Sequence, residues 1–143
     1  MFRIEDFRAE HIWLLEPQPE QVLEKEGISQ EMARAIEMSG SGYTIFEDEK
    51  PIMCAVLIKV TNERGSLWAL VSKDISKCTV RGYRLIKRLL ESSRFRRVES
   101  IVMTRFKSGH KLNKMLGFKL ETPDGMEHFG KNGETYSLYS RVK

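Results

Sequence analysis

The chain has 143 residues, of which 41% are hydrophobic, and a formal net charge of +4. This length allows one substantial hydrophobic core but not two ordinary domains, so we expect residues 1–143 to form a single domain. No segment approaches the roughly 20 apolar residues that cross a bilayer, and the first residues lack a secretory signal pattern, which predicts a cytoplasmic protein without a membrane partner.

Charge is distributed unevenly along the chain. Residues 1–49 carry 4 basic and 12 acidic side chains, whereas residues 73–119 carry 14 basic and 3 acidic ones. The basic segment predicts a surface that attracts phosphates, either of a nucleotide cofactor or of a nucleic acid. The acidic segment is typical of a solvated face, and the alternative is a rim that attracts amine substrates.

The first half of the chain predicts one strand, two helices and a hairpin. Residues 2–5 form a short strand, and apolar residues over 7–15 predict a helix that two prolines stop. Ser29 is in the position of an N-cap for a second helix, which a Gly-Ser-Gly sequence ends. Residues 43–46 and 52–60 are β-branched and aromatic, so they predict two strands joined by a charged turn.

The second half predicts four further strands and two helices. Residues 66–72 are almost continuously apolar, which is typical of a strand buried on both faces. The helix over 79–93 has one apolar face and another lined by arginines. The remaining elements are a strand at 100–104, a helix over 108–116 capped by Gly117, and a closing hairpin of 118–121 and 135–141.

The predicted order β-α-α-β-β-β-α-β-α-β-β indicates a mixed α/β fold class. We expect a central mixed sheet of about six to seven strands, flanked by about four helices. The two cysteines, Cys54 and Cys78, and the three histidines show no metal-binding spacing, so no metal site is predicted. Cys54 is expected to be a buried apolar residue, whereas Cys78 lies at a helix start, where the pKa of a thiol is lowered.

Two short sequence patterns stand out in the second half. Lys77-Cys-Thr-Val-Arg-Gly82 precedes the basic helix, and the next helix ends in Leu116-Gly-Phe118. A helix start exposes unpaired N–H groups and a partial positive charge, which suits a diphosphate. In this order the two patterns resemble the cofactor segments of the GNAT superfamily of N-acetyltransferases. The first is similar to the family's pyrophosphate loop, Arg/Gln-x-x-Gly-x-Gly/Ala, with Val80 in place of the middle glycine.

The resemblance implies an N-acetyltransferase that uses acetyl-CoA and acts on an amine, either a small molecule or a protein. It also implies that a backbone N–H of the strand before the loop, that of Leu70 or Val71, faces the acyl oxygen. The implied cofactor-binding residues are Leu70, Val71, Lys77, Cys78, Thr79, Val80, Arg81, Gly82, Tyr83, Arg84 and Asn113.

The catalytic acid and base depart from the family pattern. The family often has a tyrosine four residues before the Gly-Phe pair, and here that residue is Asn113, whose amide cannot act as an acid. The strand at 66–72 contains no carboxylate that would serve as the base. The catalytic candidates are therefore Glu63 and Asp74 as bases and Tyr83 and His110 as acids. The alternatives are a solvated loop position for each carboxylate, a core position for Tyr83 and a surface position for His110.

Two other functions remain open. Within the superfamily the sequence resembles a group of internal virion or assembly proteins of short-tailed phages, which implies a catalytically inactive protein that binds a phage or host protein, and the chain is also compatible with a homodimer. The arginine face of the long helix offers contacts to nucleic acid. Nucleic acid is not expected as a partner, because no aromatic residues are interleaved to stack bases.

Overall fold

The computed structural model describes the backbone of residues 1–143 and every side chain except that of Lys77. These residues form seven strands and five α-helices: β1 (Phe2–Asp6), α1 (Glu10–Leu14), α2 (Val22–Glu26), α3 (Gln30–Ser39), β2 (Gly40–Glu47), β3 (Lys50–Lys59), β4 (Arg64–Val71), α4 (Thr79–Glu91), β5 (Arg97–Met103), α5 (Lys107–Met115), β6 (Lys119–Leu120) and β7 (Tyr136–Val142). Short 3₁₀ turns at Pro19–Gln21 and Ile75–Cys78 directly precede α2 and α4. The strands form a mixed sheet of order β1-β2-β3-β4-β5-β7-β6, which confirms the predicted mixed α/β fold class.

The chain divides into two compact units. The first consists of Met1–Lys59 and Trp68–Ser93, and the second of Val60–Leu67 and Arg94–Lys143. Strand β4 therefore contributes its first half to the second unit and its second half to the first. The expectation of a single domain stays a prediction.

In the first unit, β1, β2 and β3 are consecutive antiparallel strands. Its core is formed by apolar side chains of the N-terminal helices, of the segments that flank them, and of β3 and β4: Phe7, Ile12, Leu15, Ile28, Ala33, Cys54, Val56 and Leu70. Phe7 contacts Trp68 edge to face, with 5.8 Å between the ring centroids. Burial of this apolar surface is the main stabilising contribution in the unit.

Helix α4 packs against β2 and β3 through the apolar face that its sequence predicts. Leu85, Ile86, Leu89 and Leu90 are buried, while the arginines at other positions of the helix are exposed. Gly82 is buried within the same face, and a Cβ atom there would lie only 3.1 Å from Met53 Sδ. The glycine therefore lets the helix approach β3 closely, which is a packing reason for its presence.

In the second unit, the first half of β4 pairs with β5 in parallel, from Arg64 opposite Arg97 to Ser66 opposite Glu99. Strand β7 lies antiparallel to β5 along its whole length and also pairs with β6. Helix α5 ends in the predicted glycine cap: Gly117 has a φ of +86°, and the N–H of Phe118 donates to the Asn113 carbonyl at 3.0 Å. This hydrogen bond is typical of a Schellman motif.

Three sequence predictions need correction. The helix predicted over 7–15 is the shorter α1, and α2 is an additional helix. Pro19, which the sequence predicts to stop a helix, instead lies in the first turn of the 3₁₀ segment that leads into α2, where proline is favoured. Strand β2 begins at Gly40 rather than at residue 43. Strand β4 is not buried on both faces, since Trp68, Ala69 and Val71 are half-buried.

Candidate functional site

The C-terminal end of β4 is the candidate site, because its backbone is hydrogen-bonded there by a segment that no sequence pattern indicated. The Ser72 N–H donates to the Ile52 carbonyl of β3 at 2.8 Å. Neighbouring residues of a strand present their N–H and C=O groups to opposite sides, so those of Val71 point away from β3. On that far side the Val71 carbonyl accepts from the Gln18 N–H at 2.9 Å, and the Val71 N–H donates to Gln21 Oε1 at 2.8 Å.

The Gln21 side chain bridges two backbone groups of β4. Its Nε2 donates to the Ala69 carbonyl at 2.9 Å, while its Oε1 accepts from the Val71 N–H. This pair of one donor and one acceptor is what a residue of a neighbouring strand would present. Gln21 is only 7% exposed, so water competes little for these hydrogen bonds. A side-chain amide thus takes the place of a strand partner.

The segment that ends at Gln21 follows the same side of β4. The Lys73 N–H donates to the Glu16 carbonyl at 3.0 Å, and Pro17 forms an antiparallel bridge with Ser72. The Gln18 side chain donates to the Ser72 carbonyl at 2.9 Å. We call residues 16–21 the strap. The strap, Gln21 included, thus binds backbone groups of residues 69, 71, 72 and 73.

A carboxyl group with a shifted pKa lies next to the strap. Glu24, on α2, is half-buried, and burial raises its pKa to about 7, although a hydrogen bond with the Gln21 side chain lowers it in part. A carboxyl group with a pKa near neutrality is suited to accept a proton at physiological pH. Glu20 places a second carboxyl group on the strap, and its Oε2 is buried without a hydrogen-bond partner among the described residues.

The predicted residues of the strand end lie in this site. Leu70 is fully buried in the core of the first unit. Of the two amides proposed for the acyl oxygen, that of Val71 points away from β3, so its position matches the proposed role better. Asp74 lies three residues further on, is exposed, and donates its N–H to Ser72 Oγ at 3.0 Å. Its role as a base stays a prediction.

The start of α4 is open to solvent in the described part of the chain. Val80 is 61% exposed, and Thr79, Arg81 and Arg84 are also exposed. The Arg81 guanidinium lies 4.7 Å from the centroid of the Phe2 ring, a cation–π contact. The side chain of Lys77, which was also predicted to bind the cofactor, lies outside the described residues.

Two other predicted residues at the start of α4, Cys78 and Tyr83, are buried or half-buried in the fold. Cys78 is 1% exposed, and burial raises the pKa of its thiol, although the Arg81 charge acts in the opposite direction. The expectation of a lowered pKa at this helix start is therefore wrong, because desolvation outweighs the nearby positive charge. Tyr83 is half-buried, with Lys87 Nζ 6.0 Å from its ring centroid, and its role as an acid stays a prediction.

Cys54 is a buried core residue, as expected from its apolar surroundings. It is fully buried, and burial raises the pKa of its thiol to about 12. No group of three or more His, Cys, Asp or Glu side chains within the described residues is placed to hold a metal ion. Likewise, none of the helices formed by these residues is long and apolar enough to span a membrane.

The other candidates belong to the second unit. Glu63 lies at the N-terminal end of β4, opposite to the end that carries Val71, and pairs with Arg96 at 3.3 Å. His110 Nε2 donates to the Thr104 carbonyl at 2.7 Å, because that oxygen can only accept, and Nδ1 shares a hydrogen bond of 2.6 Å with the Tyr139 hydroxyl. Both ring nitrogens of His110 are therefore engaged within the fold.

Asn113 is also held within the second unit. Its Nδ2 donates to the Gly109 carbonyl at 2.8 Å, and its buried Oδ1 has no hydrogen-bond partner in the part of the chain that the structure describes. The Asn113 amide is thus bound within α5 itself, to the carbonyl one turn earlier. Its predicted role in cofactor binding stays a prediction.

The residues of the first unit fit the chemistry of coenzyme A, which carries a diphosphate and an arm with two amide groups. The exposed start of α4, with Arg81 and Arg84, suits a diphosphate. The side of β4 that points away from β3 presents the N–H and C=O groups that an amide-containing arm requires. In the folded chain, Gln21 is already bound to these groups.

Gln21 and Glu24 are the functional candidates that sequence reasoning missed. Both lie in the acidic N-terminal segment, whose charge predicts either a solvated face or a rim that attracts amines, but no particular residue. A signal was present, because Pro19 followed by Glu and Gln is typical of a helix start, and residues three apart on a helix share one face. That pattern predicts neither the contact with β4 nor the burial of Glu24.

No protein-family model and no curated protein matches the sequence. Solved structures of acetyltransferases do match the fold. Ard1 from Thermoplasma volcanium has a TM-score of 0.79 and 15% identity over 99% of this chain and 97% of that chain. A GNAT-family acetyltransferase from Streptococcus pneumoniae has a TM-score of 0.75 and 14% identity over 99% of both chains. The ribosomal-protein-S18-alanine N-acetyltransferase from Escherichia coli has a TM-score of 0.70 and 15% identity over 99% of this chain and 94% of that chain. The strand order and these likenesses show that the chain has the fold of the GNAT superfamily.

Proposed function

We propose that the protein is an N-acetyltransferase that uses acetyl-CoA and acts on an amine. Glu24 is the residue on which this function depends: it is a half-buried carboxyl group with a pKa of about 7, joined through Gln21 to the Val71 N–H. The GNAT fold supports the proposal, because solved acetyltransferases share it.

Each residue of the site has a separate role in this function. Acetyl-CoA supplies an acetyl group that is activated as a thioester. Glu24 accepts the proton that the amine loses, because a base is most effective when its pKa lies near the working pH. The Val71 N–H donates a hydrogen bond to the acyl oxygen. Arg81 and Arg84 attract the phosphates at the start of α4.

The acceptor amine is expected to be cationic before it reacts. Glu20 lies on the strap and Glu24 beside it, and Glu20, together with Glu24 once it has lost its proton, creates a negative potential there. The carboxyl group of Glu16 contributes less, because it is paired with Lys73 at 2.7 Å. The Escherichia coli neighbour is named for the alanine of a ribosomal protein, so a protein N-terminus is one suitable class. A basic small molecule such as a polyamine is the other.

Binding and turnover test the proposal directly. We expect calorimetry to detect coenzyme A binding, and we expect thiol release from acetyl-CoA when peptides with basic N-termini or polyamines are added. The rate should rise with pH through about 7, as Glu24 loses its proton. Absence of coenzyme A binding at millimolar concentration would reject the proposal.

Replacement of the base provides the sharper measurement. Glu24→Gln should lower turnover by about 100-fold or more and remove the rise in rate near neutral pH, because the amide accepts no proton. Glu26→Gln is the matched control, since it removes an exposed carboxyl group from the same helix. Equal losses in the two variants would show that Glu24 is not the base.

A second candidate function is that the protein is catalytically inactive and binds a phage or host protein. The occupied side of β4 and Asn113 in the position of the acid favour it. It predicts a stable complex in pull-down experiments together with no turnover on any amine. Turnover on an amine would contradict it.

A further inference from the structure

The groups of β4 that would bind the cofactor are already bound by the chain itself. Gln21 holds the Ala69 carbonyl at 2.9 Å and the Val71 N–H at 2.8 Å. A ligand amide that pairs with β4 at this point needs the same acceptor and the same donor, because only alternate residues of a strand present their N–H and C=O groups on a given side. The two interactions are therefore mutually exclusive.

We propose that Gln21 gates this side of β4, so that coenzyme A binds there only after the Gln21 side chain leaves Ala69 and Val71. This inference rests on the proposed function and adds a residue that sets the affinity for the cofactor. Gln21 competes with coenzyme A as an intramolecular ligand. The apparent affinity for coenzyme A is therefore the affinity of the open form multiplied by the fraction of molecules that are open.

The moving part is the side chain rather than the whole strap. The backbone of the strap is tied separately, through the Gln18 N–H on the Val71 carbonyl at 2.9 Å and the Lys73 N–H on the Glu16 carbonyl at 3.0 Å. Lys25 Nζ holds the preceding Leu15 carbonyl at 2.7 Å. Rotation of the Gln21 side chain frees the Val71 N–H while these backbone contacts persist. Such a rotation changes the conformation of one side chain only, whereas removal of the strap would rearrange the backbone of six residues.

Three variants test the gate by calorimetric titration with coenzyme A. Gln21→Ala removes both hydrogen bonds to β4, and Gln21→Met removes them while keeping most of the buried volume, in case the alanine variant unfolds. Gln18→Ala is the matched control, because its side chain binds the Ser72 carbonyl and neither Ala69 nor Val71. Hydrogen exchange of the Val71 amide, followed by NMR without any ligand, reports the closed state directly.

The expected result is that both Gln21 variants bind coenzyme A about tenfold more tightly than the unmodified protein, whereas Gln18→Ala stays within about twofold. The Val71 amide should exchange about tenfold faster in the Gln21 variants. Equal coenzyme A affinity in all four proteins would overturn the gate and leave the proposed function intact. Absence of binding in every protein, including the Gln21 variants, would overturn both. Unchanged exchange at Val71 would overturn the gate alone.

Discussion

The pKa of Glu24 illustrates how burial alone creates a chemically useful group. The carboxyl group lies on a short, largely exposed helix, yet its own surroundings raise its pKa from the ordinary 4.5 to about 7. Desolvation disfavours the charged form, and the hydrogen bond with Gln21 compensates only in part. No positive side chain contributes to the shift, so the Glu24 carboxylate is not stabilised by an ion pair and binds its proton more tightly.

This shift predicts a stability effect that is independent of catalysis. Because the pKa of Glu24 is higher in the folded than in the unfolded chain, the folded state binds its proton more tightly. That stabilisation is fully present below pH 4.5 and is lost as the pH rises through about 7. The stability of Glu24→Gln relative to the unmodified protein should therefore increase as the pH rises from 4.5 through 7, and the gain should reach about 3 kcal/mol at pH 8.

Urea unfolding at about pH 5 and about pH 8 measures this difference. Glu26→Gln serves again as the exposed control and should change little between the two conditions. If the stability difference between Glu24→Gln and the unmodified protein is the same at both pH values, Glu24 is not buried as described.

Among the elements, β2 shows how close strand packing decides where glycine is needed. Its first residues, Gly40 to Gly42, pair with Ile58 to Val56 of β3. A Cβ atom on Gly42 would lie 2.5 Å from the Ala55 carbonyl oxygen and 2.8 Å from Val56 Cα. Both of these atoms are backbone and cannot rotate away. The glycines that the sequence indicates as a helix stop thus also allow the strand to begin at once.

We expect Gly42→Ala to destabilise the protein by about 2 kcal/mol or more, because β2 and β3 must separate to accommodate the methyl group. Gly27→Ala is the control: its Cβ atom would have ordinary contacts of 3.4 and 3.6 Å, and its φ is −78°. That substitution should change the free energy of unfolding by no more than about 0.5 kcal/mol. Equal urea midpoints for the two variants would contradict the packing described for β2 and β3.

At the scale of the whole molecule, the acidic segment lies entirely in the first unit, whereas the basic segment is shared, with six of its basic residues in the first unit and eight in the second. The acidic residues before residue 49 and the arginines of α4 both belong to the first unit. The same unit therefore carries the surface expected to attract phosphates and the one expected to attract amines. This arrangement suits a protein that brings an anionic cofactor to a cationic acceptor.

The predicted single domain leads to an expectation for unfolding. Trp13 and Trp68 both lie in the first unit, so their fluorescence reports that unit, whereas far-UV circular dichroism reports both. If the chain is one cooperative domain, the two urea transitions should coincide in midpoint and slope. Separate midpoints would show that the units unfold independently.

Most of the architecture was predictable from the sequence. The apolar face of α4 and the Gly117 cap both follow from patterns spanning a few residues, and both are confirmed. The candidate site was predictable on the strand and at the start of α4, through the resemblance that points to Val71 and to residues 77–84. The sequence did not indicate Gln21 and Glu24, because no local pattern predicts that a glutamine binds a strand 50 residues further along the chain.

The sequence by itself determined the order of helices and strands apart from α2, and it determined the family likeness of the fold, because hydrophobic periodicity and the chemistry of helix ends act between near neighbours. Only the tertiary structure decided which groups meet at the end of β4. The hydrogen bonds of Gln21 and the raised pKa of Glu24 arise from burial and long-range contact, and these exist only once distant segments have packed together.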